Sequence, residues 1–188
     1  MEFRPEVGHG KLALEHFYAQ SLGLEAPWRV KAVVIDGDRK EVRIRVECTS
    51  GEAWVDPETR ERAAIKDWSE RTWRHLDTCE YQTIISARVP RVKLSDGSTM
   101  TVKVPWAEPG GRFTKRFESL VISFLEQCRT VRGAARLAKI TEDQADGVME
   151  RAVARGRVRR ADGPMKYIGL DEKAIAKGHR YATILNDL

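Results

Sequence analysis

Hydrophobic positions alternate with polar ones through the first half of the chain. In the second half they recur every three to four residues. Val42, Ile44 and Val46 alternate with Arg43, Arg45 and Glu47, which predicts a half-buried strand over Val42–Cys48. Trp28–Ile35 is β-branched and apolar, and Asp36-Gly37-Asp38-Arg39 between the two runs is a hairpin signal. Upstream, Leu12, Leu14, Phe17, Tyr18 and Leu22 fall at helical spacings, so a short helix is expected over Lys11–Leu22, stopped by Gly23 and Pro27. Thr49–Arg71 is polar and poorly periodic, and is expected to be irregular. Strand patterns return at Tyr81–Val89, Arg91–Leu94 and Thr99–Val104, with a turn at Ser95-Asp96-Gly97-Ser98. Pro105, Pro109, Gly110 and Gly111 read as a linker or hinge, and a module boundary is expected there.

Beyond Gly111 the period becomes helical. Phe113, Phe117, Leu120, Val121, Phe124 and Leu125 form one apolar face over Phe113–Cys128, and a second helix is expected over Val131–Ala138. Thr141-Glu142-Asp143-Gln144 is a capping box. The helix it opens should bury Ala145, Val148, Met149, Ala152 and Val153 and end at Gly156. Three helices with a tight turn before a well-capped third predict a helix-turn-helix. Ala134 and Ala135 permit close packing there, and Ile140 can plug the turn. On the exposed face of the third helix the candidates for DNA contact are Glu142, Gln144, Arg151 and Arg155. A plain three-helix bundle has the same pattern, and the nearby arginines favour DNA. A last apolar run, Lys166–Leu170, suits a buried strand ending at Asp171-Glu172, with Arg180–Leu185 able to pair beside it.

Charge sharpens this division. The 188 residues carry a net +5 and a pI near 9.2. From Arg129 to Arg160 nine bases face four acids, so this window alone holds 9 − 4 = +5. Gly51–Glu80 reverses the balance, with eight acids to five bases. An arginine-rich segment of this kind is the electrostatic footprint expected for a polyanion. The longest charge-free stretch, Phe17–Leu24, has eight residues, far short of the ~18 that a membrane span needs. Met1-Glu-Phe-Arg-Pro-Glu6 has no signal-peptide core, and Cys48, Cys79 and Cys128 are too scattered for a disulfide framework. A cytoplasmic protein with no membrane partner is expected.

Other chemistry is sparse. His75 and Cys79 do not close a tetrahedral zinc shell, even with Cys48, so the cysteines read as buried structural residues. Trp28, Trp54, Trp68, Trp73 and Trp106 are expected to form the core of the first module rather than a platform for bases. Asp171 and Glu172 alone are a weak signal for a metal-dependent nuclease, because two-metal chemistry needs several converging carboxylates.

Several runs taken together carry a resemblance: Arg71-Thr-Trp-Arg-His-Leu-Asp-Thr-Cys79, Ala87-Arg-Val-Pro-Arg-Val92, Val104-Pro-Trp-Ala-Glu-Pro109, Met149-Glu-Arg-Ala-Val-Ala-Arg155, Gly169-Leu-Asp-Glu-Lys-Ala174 and Lys177-Gly-His-Arg-Tyr181. From about Leu22 onward the chain resembles bacterial insertion-sequence transposases of the ISL-three type. Such proteins carry a zinc-finger module, a helix-turn-helix and a DDE catalytic domain of ribonuclease H-like fold. The resemblance implies an α+β chain in four parts: an N-terminal helix and arm over 1–27, a β-rich, degenerate zinc-ribbon-like module over 28–106, a helix-turn-helix over 112–160, and over 165–188 the first hairpin of an incomplete catalytic domain. It matches Asp171 to the first catalytic carboxylate, which holds Mg or Mn in a complete enzyme. The zinc-ligand positions correspond to Asp56, Thr59, Leu94 and Gly97, so no zinc and no other cofactor is expected. The second Asp and the Glu of the triad are not found, which implies a truncated, catalytically incomplete protein.

The expected activity is recognition of transposon ends for DNA transposition, through Arg132, Arg136, Gln144, Arg151, Arg155, Arg157, Arg159 and Arg160. Expected partners are double-stranded DNA and a second copy of the chain or a full-length transposase. The alternatives are a regulatory or inhibitory DNA binder, an inert remnant of a decayed element, and a nuclease completed by another chain.

Overall fold

The computed structural model describes residues 9–49, 54–56, 59–159, 168–177 and 180–187. In chain order the elements are α1 (His9–Leu22), β1 (Trp28–Asp36), β2 (Glu41–Cys48), β3 (Trp54–Val55), β4 (Arg62–Ala63), β5 (Ile65–Thr78), β6 (Tyr81–Lys93), β7 (Thr99–Thr101), α2 (Lys115–Gln127), α3 (Val131–Ala138), α4 (Glu142–Arg159), β8 (Ile168–Ala176) and β9 (Arg180–Asp187). They form two compact units, Met1–Met149 and Glu150–Leu188. Among the described residues no helix is long and apolar enough to cross a membrane.

The first unit is built on a mixed sheet of order β1-β2-β6-β5, with β7 pairing β6 beyond the end of β2. Two antiparallel hairpins, β1–β2 and β5–β6, are joined by a parallel pairing in which Ile44 lies opposite Ile85. Alternation places Val42, Ile44 and Val46 of β2 and Thr83, Ile85, Ala87 and Val89 of β6 on the buried face. Tyr18 and Leu22 of α1 pack onto the same core, and the Tyr18 hydroxyl donates to Thr78 Oγ1 at 2.9 Å. Of the five tryptophans, Trp28, Trp73 and Trp106 are buried, with Trp106 edge-on to both others at 5.1 and 5.4 Å. Trp54 packs partly against this core and Trp68 is exposed, so the expected tryptophan core holds for three of the five.

Two strand boundaries differ from the sequence pattern. The stretch Thr49–Arg71, expected to be irregular, contains the first half of the fourteen-residue strand β5. Its inward positions there, Asp67, Ser69 and Arg71, are polar and only half-buried, so no apolar alternation announces the strand. It forms because β6 offers a continuous partner from Tyr81 to Lys93. Pro90 does not break β6. Its carbonyl accepts from Val102 N, and the nitrogen faces that same edge, away from β5, so the long ladder with β5 keeps its donors.

Residues 105–111, read from their composition as a hinge, are tied to the sheet. Trp106 and Ala107 are buried, Lys115 N donates to Trp106 O at 2.8 Å, and Ala107 bridges Thr114. The free edge of β5 is covered by the same segment, because Arg74 N donates to Arg112 O and Thr114 N to Arg74 O, at 2.9 and 3.0 Å. Thr114 also caps α2, its hydroxyl accepting from Phe117 N while contacting His75 Nδ1 of β5 at 2.8 Å.

Behind this joint lies a second core of Phe113, Phe117, Val121, Ala135, Ala138, Ala145 and Val148, to which Leu76 of β5 contributes. Thr130 caps α3 by accepting from Gly133 N, and α3 ends at Lys139 in the left-handed region at φ 56°. The capping box of α4 is formed both ways: Gln144 N donates to Thr141 Oγ1 at 3.2 Å and Thr141 N to Gln144 Oε1 at 3.1 Å. Two expectations for α4 fail. It runs through Gly156 to Arg159, where a lone glycine costs a helix only ~1 kcal/mol. Met149 and Val153 are exposed rather than buried.

In the second unit, β8 and β9 form an antiparallel hairpin with Asp171 opposite Ile184. The strand continues past Asp171-Glu172 to Ala176, so these acids lie mid-strand and not at its end. The expected buried strand is not seen as such: Ile168, Leu170, Ile175, Tyr181 and Ile184 are exposed. Tyr167 and Lys166 lie outside the described residues.

Candidate nucleic-acid interface

The turn between α3 and α4 brings the candidate interface together. Lys139 adopts its left-handed conformation there, its backbone N–H donating back to α3, and Ile140 packs partly under the turn as expected. Arg132 and Arg136 are exposed on α3, and Arg132 is ion-paired with Glu142 at 3.2 Å across the turn. On α4, Arg157 and Arg159 are exposed, whereas Gln144, Arg151 and Arg155 are half-buried. These three share the helix side of buried Val148, being spaced at about four, three and seven residues from it. The opposite, outward side of the first turns carries Asp143, Asp146 and Glu150. The expected exposed reading face of α4 is thus acidic in its N-terminal half, and the basic and amide groups lie along its flank. Arg160 falls outside the described residues.

A cleft of about 420 Å³ opens between the outer face of the sheet and this turn. Its lining includes Glu70, Arg71, Arg74, Arg112, Lys139 and Gln144. Arg74 is nine-tenths buried. Its Nη2 lies 2.5 Å from Asp77 Oδ1, its guanidinium stands over the Phe117 ring at 5.3 Å, and its Nη1 is buried with no hydrogen-bond partner in the structure. An unmatched buried donor costs on the order of 1–3 kcal/mol. Asp77 also pairs with Lys139 at 3.6 Å, so one carboxylate orients a cation of the sheet and one of the turn. Sequence reasoning passed over Arg74, Arg112 and Arg71, since they lie outside the basic window and converge only through β5 and the covered edge. A neighbouring hollow on the same sheet, lined by Arg45, Trp68 and Arg88 among others, has Arg88 over the Trp68 ring at 5.9 Å.

Buried beside the joint, His75 has its pKa pushed down to about 4, first by loss of solvent and then by the Arg116 and Arg74 charges. It is neutral at pH 7 and serves as a hydrogen-bonding strut to Thr114.

Residues 102–153, which span the joint, α2, α3 and most of α4, match the helix-turn-helix domain of transposase family ISL3. Residues 53–95 match the zinc-finger of transposase IS204/IS1001/IS1096/IS1165. Both matches are to domains of ISL3-type insertion-sequence transposases. The transposase for insertion sequence element IS1557 of Mycobacterium tuberculosis, in strains CDC 1551 / Oshkosh and ATCC 25618 / H37Rv, is 28% identical over 119 residues. That alignment covers 62% of this chain and 26% of the relative, so the match spans about a quarter of the curated transposases. No solved structure matches.

The two turns that the resemblance matches to zinc ligands approach each other, but a zinc ion does not suit them. Asp56, Thr59, Leu94 and Gly97 offer one carboxylate and one hydroxyl, with no thiolate or imidazole. Those two groups are already engaged. Asp56, nearly fully buried, accepts at Oδ2 from Ser95 N at 3.0 Å and Ser95 Oγ at 2.8 Å. Thr59 Oγ1 meets Ser95 Oγ at 2.9 Å. A hydrogen-bonded clasp joins the two turns.

The Mg or Mn implied by the family is likewise not accommodated by what is described. Asp171 and Glu172 are neighbours in β8 and point to opposite faces. Asp187 lies three residue pairs along the ladder from Asp171, on the order of 10 Å. Among the described residues no group of three His, Cys, Asp or Glu is placed to hold a metal ion.

Proposed function

We propose that this chain is a duplex-DNA-binding portion of an insertion-sequence transposase, and that it recognises transposon ends. The helix-turn-helix with capped α3 and α4, matched to the family's own domain, carries this reading. Arg132, Arg136, Arg151, Arg155, Arg157, Arg159 and Arg160 neutralise phosphates. The amide nitrogen of Gln144, whose Oε1 is held by Thr141, contributes to base preference from the flank of α4. The acidic outward side of α4 disfavours a docking in which that side meets the backbone.

Binding to duplexes over a salt series tests the reading. With about four to six phosphate contacts, log affinity falls against log salt with a slope of roughly −4 to −5. No binding to any duplex at low salt would overturn it. Asp171 is the one residue of the triad assigned here, and two-metal phosphoryl transfer needs several carboxylates. The 188-residue polypeptide is therefore expected to bind without cutting. Strand cleavage that needs Mg or Mn and disappears in Asp171→Ala would reverse that expectation.

A further inference from the structure

The buried Arg74 guanidinium is more than the helix-turn-helix requires. Its Nη2 is neutralised by Asp77 and its face rests on Phe117, yet Nη1 is buried without an acceptor, and Arg74 lines the cleft between β5 and the α3–α4 turn. The cleft collects four cations, Arg71, Arg74, Arg112 and Lys139, against Glu70, and with Asp77, which pairs with Arg74 and Lys139, the local balance is 4 − 2 = +2. A buried, oriented guanidinium beside exposed cations of the same sign favours an anion. A guanidinium presents a planar fork that matches phosphate oxygens.

We propose that this cleft seats a backbone phosphate of the bound duplex, with Arg74 as its preset donor and Arg112 and Lys139 as the rim that closes on it. The sheet module would then be part of the DNA interface and not merely the support of the helices. The proposal rests on the DNA-binding reading above, and deepens it by naming a second contact region. A helix-turn-helix that directs the N-terminal end of its second helix toward a groove brings the adjoining turn to the strand beside it. Lys139 and Ile140 of that turn line the cleft. The first-turn acids Glu142 and Asp143 oppose the dipole of α4, so the attraction comes from the cations of the sheet and the turn.

Arg74→Ala risks the fold, so the test uses exposed positions. Lys139→Gly keeps the left-handed backbone that φ 56° demands while removing the ammonium, and Arg112→Ala leaves its bonded carbonyl in place. Each is expected to melt like the parent, to weaken binding to all duplexes about 5- to 10-fold at low salt, and to reduce the salt slope by about 1. Phosphate ethylation should reveal at least one position that blocks the parent and is indifferent to Lys139→Gly, while Arg155→Ala retains it. Parent-like affinity, slope and interference in both variants, with Arg155→Ala still weakened, would overturn the cleft and leave the DNA reading standing. A parent chain that binds no duplex overturns both. Inorganic phosphate that raises the melting temperature of the parent but not of Lys139→Gly, without displacing bound DNA beyond chloride at matched ionic strength, would assign the cleft to a free anion and overturn the proposal.

Discussion

The sheet and the helices of the first unit reach close packing by opposite means. The sheet fills its core with large side chains: Trp28, Trp73 and Trp106 around Val42, Ile44, Ile85 and Val92. The helices pack through small ones, with Ala134, Ala135, Ala138 and Ala145 fully shielded, and rely on three polar N-terminal caps to fix their ends. A sheet core of interlocked rings is intolerant of loss, whereas a capped helix can lose one cap and survive. The joint between them is polar and buried, at Arg74, His75 and Thr114. The difference places the sensitivity of the DNA-binding helices in residues of the sheet.

The strongest way to break this contrast is Trp106→Ala. It removes the ring that meets both Trp28 and Trp73 and the anchor of the segment leading into α2, and should cost ~3–5 kcal/mol in urea unfolding. Because both cores lie in one unit, helix and sheet signals should be lost together. Two separate transitions would show that the helices stand alone.

Acid should act through the joint. The folded chain holds His75 neutral down to about pH 4, while the unfolded chain protonates it near 6.5. The unfolded state binds the extra proton in that window, so stability is full above ~6.5 and declines as pH falls to about 4, by at most about 3 kcal/mol. His75→Gln should flatten this dependence. An unchanged profile in the variant would assign the acid sensitivity to other groups.

The clasp offers a smaller effect. Asp56→Ala leaves the Ser95 N–H and hydroxyl without their acceptor and should cost about 1–3 kcal/mol, while a chelator leaves the melting temperature of the parent unchanged. One zinc per chain, with melting on chelation, would show that the clasp reading is mistaken. Smallest is Thr130→Ala, expected to cost about 1 kcal/mol by exposing the Gly133 N–H at the start of α3, with little change in the sheet.

Where local chemistry is sufficient, the sequence was legible. The Asp36-Gly37 hairpin, the alternation of β2, the helices α2 and α3, and the Thr141–Gln144 box all appear close to where their patterns put them. Where an element depends on a partner, the pattern misled. Half of β5 has no apolar face and exists because β6 runs beside it. Pro90 is harmless because of the edge it faces, and the Pro/Gly-rich segment 105–111 is pinned by Trp106. Gly156 carries no stop because the helix is merely weakened there.

The same division holds for the candidate site. The capped turn and its surrounding arginines were visible as a motif with charge, because capping and charge are properties of a few neighbouring residues. Which side of α4 carries amide and guanidinium groups, and which carries Asp143, Asp146 and Glu150, depended on where Val148 is buried. The sequence by itself determined the strand and helix periods, the caps and the overall basic balance. Only the tertiary structure brought Arg71, Arg74 and Arg112 from the sheet to Lys139 of the turn, and set Ser95 against Asp56 across 39 residues. Contacts between distant segments are fixed by backbone pairing and core packing, which a one-dimensional pattern does not encode.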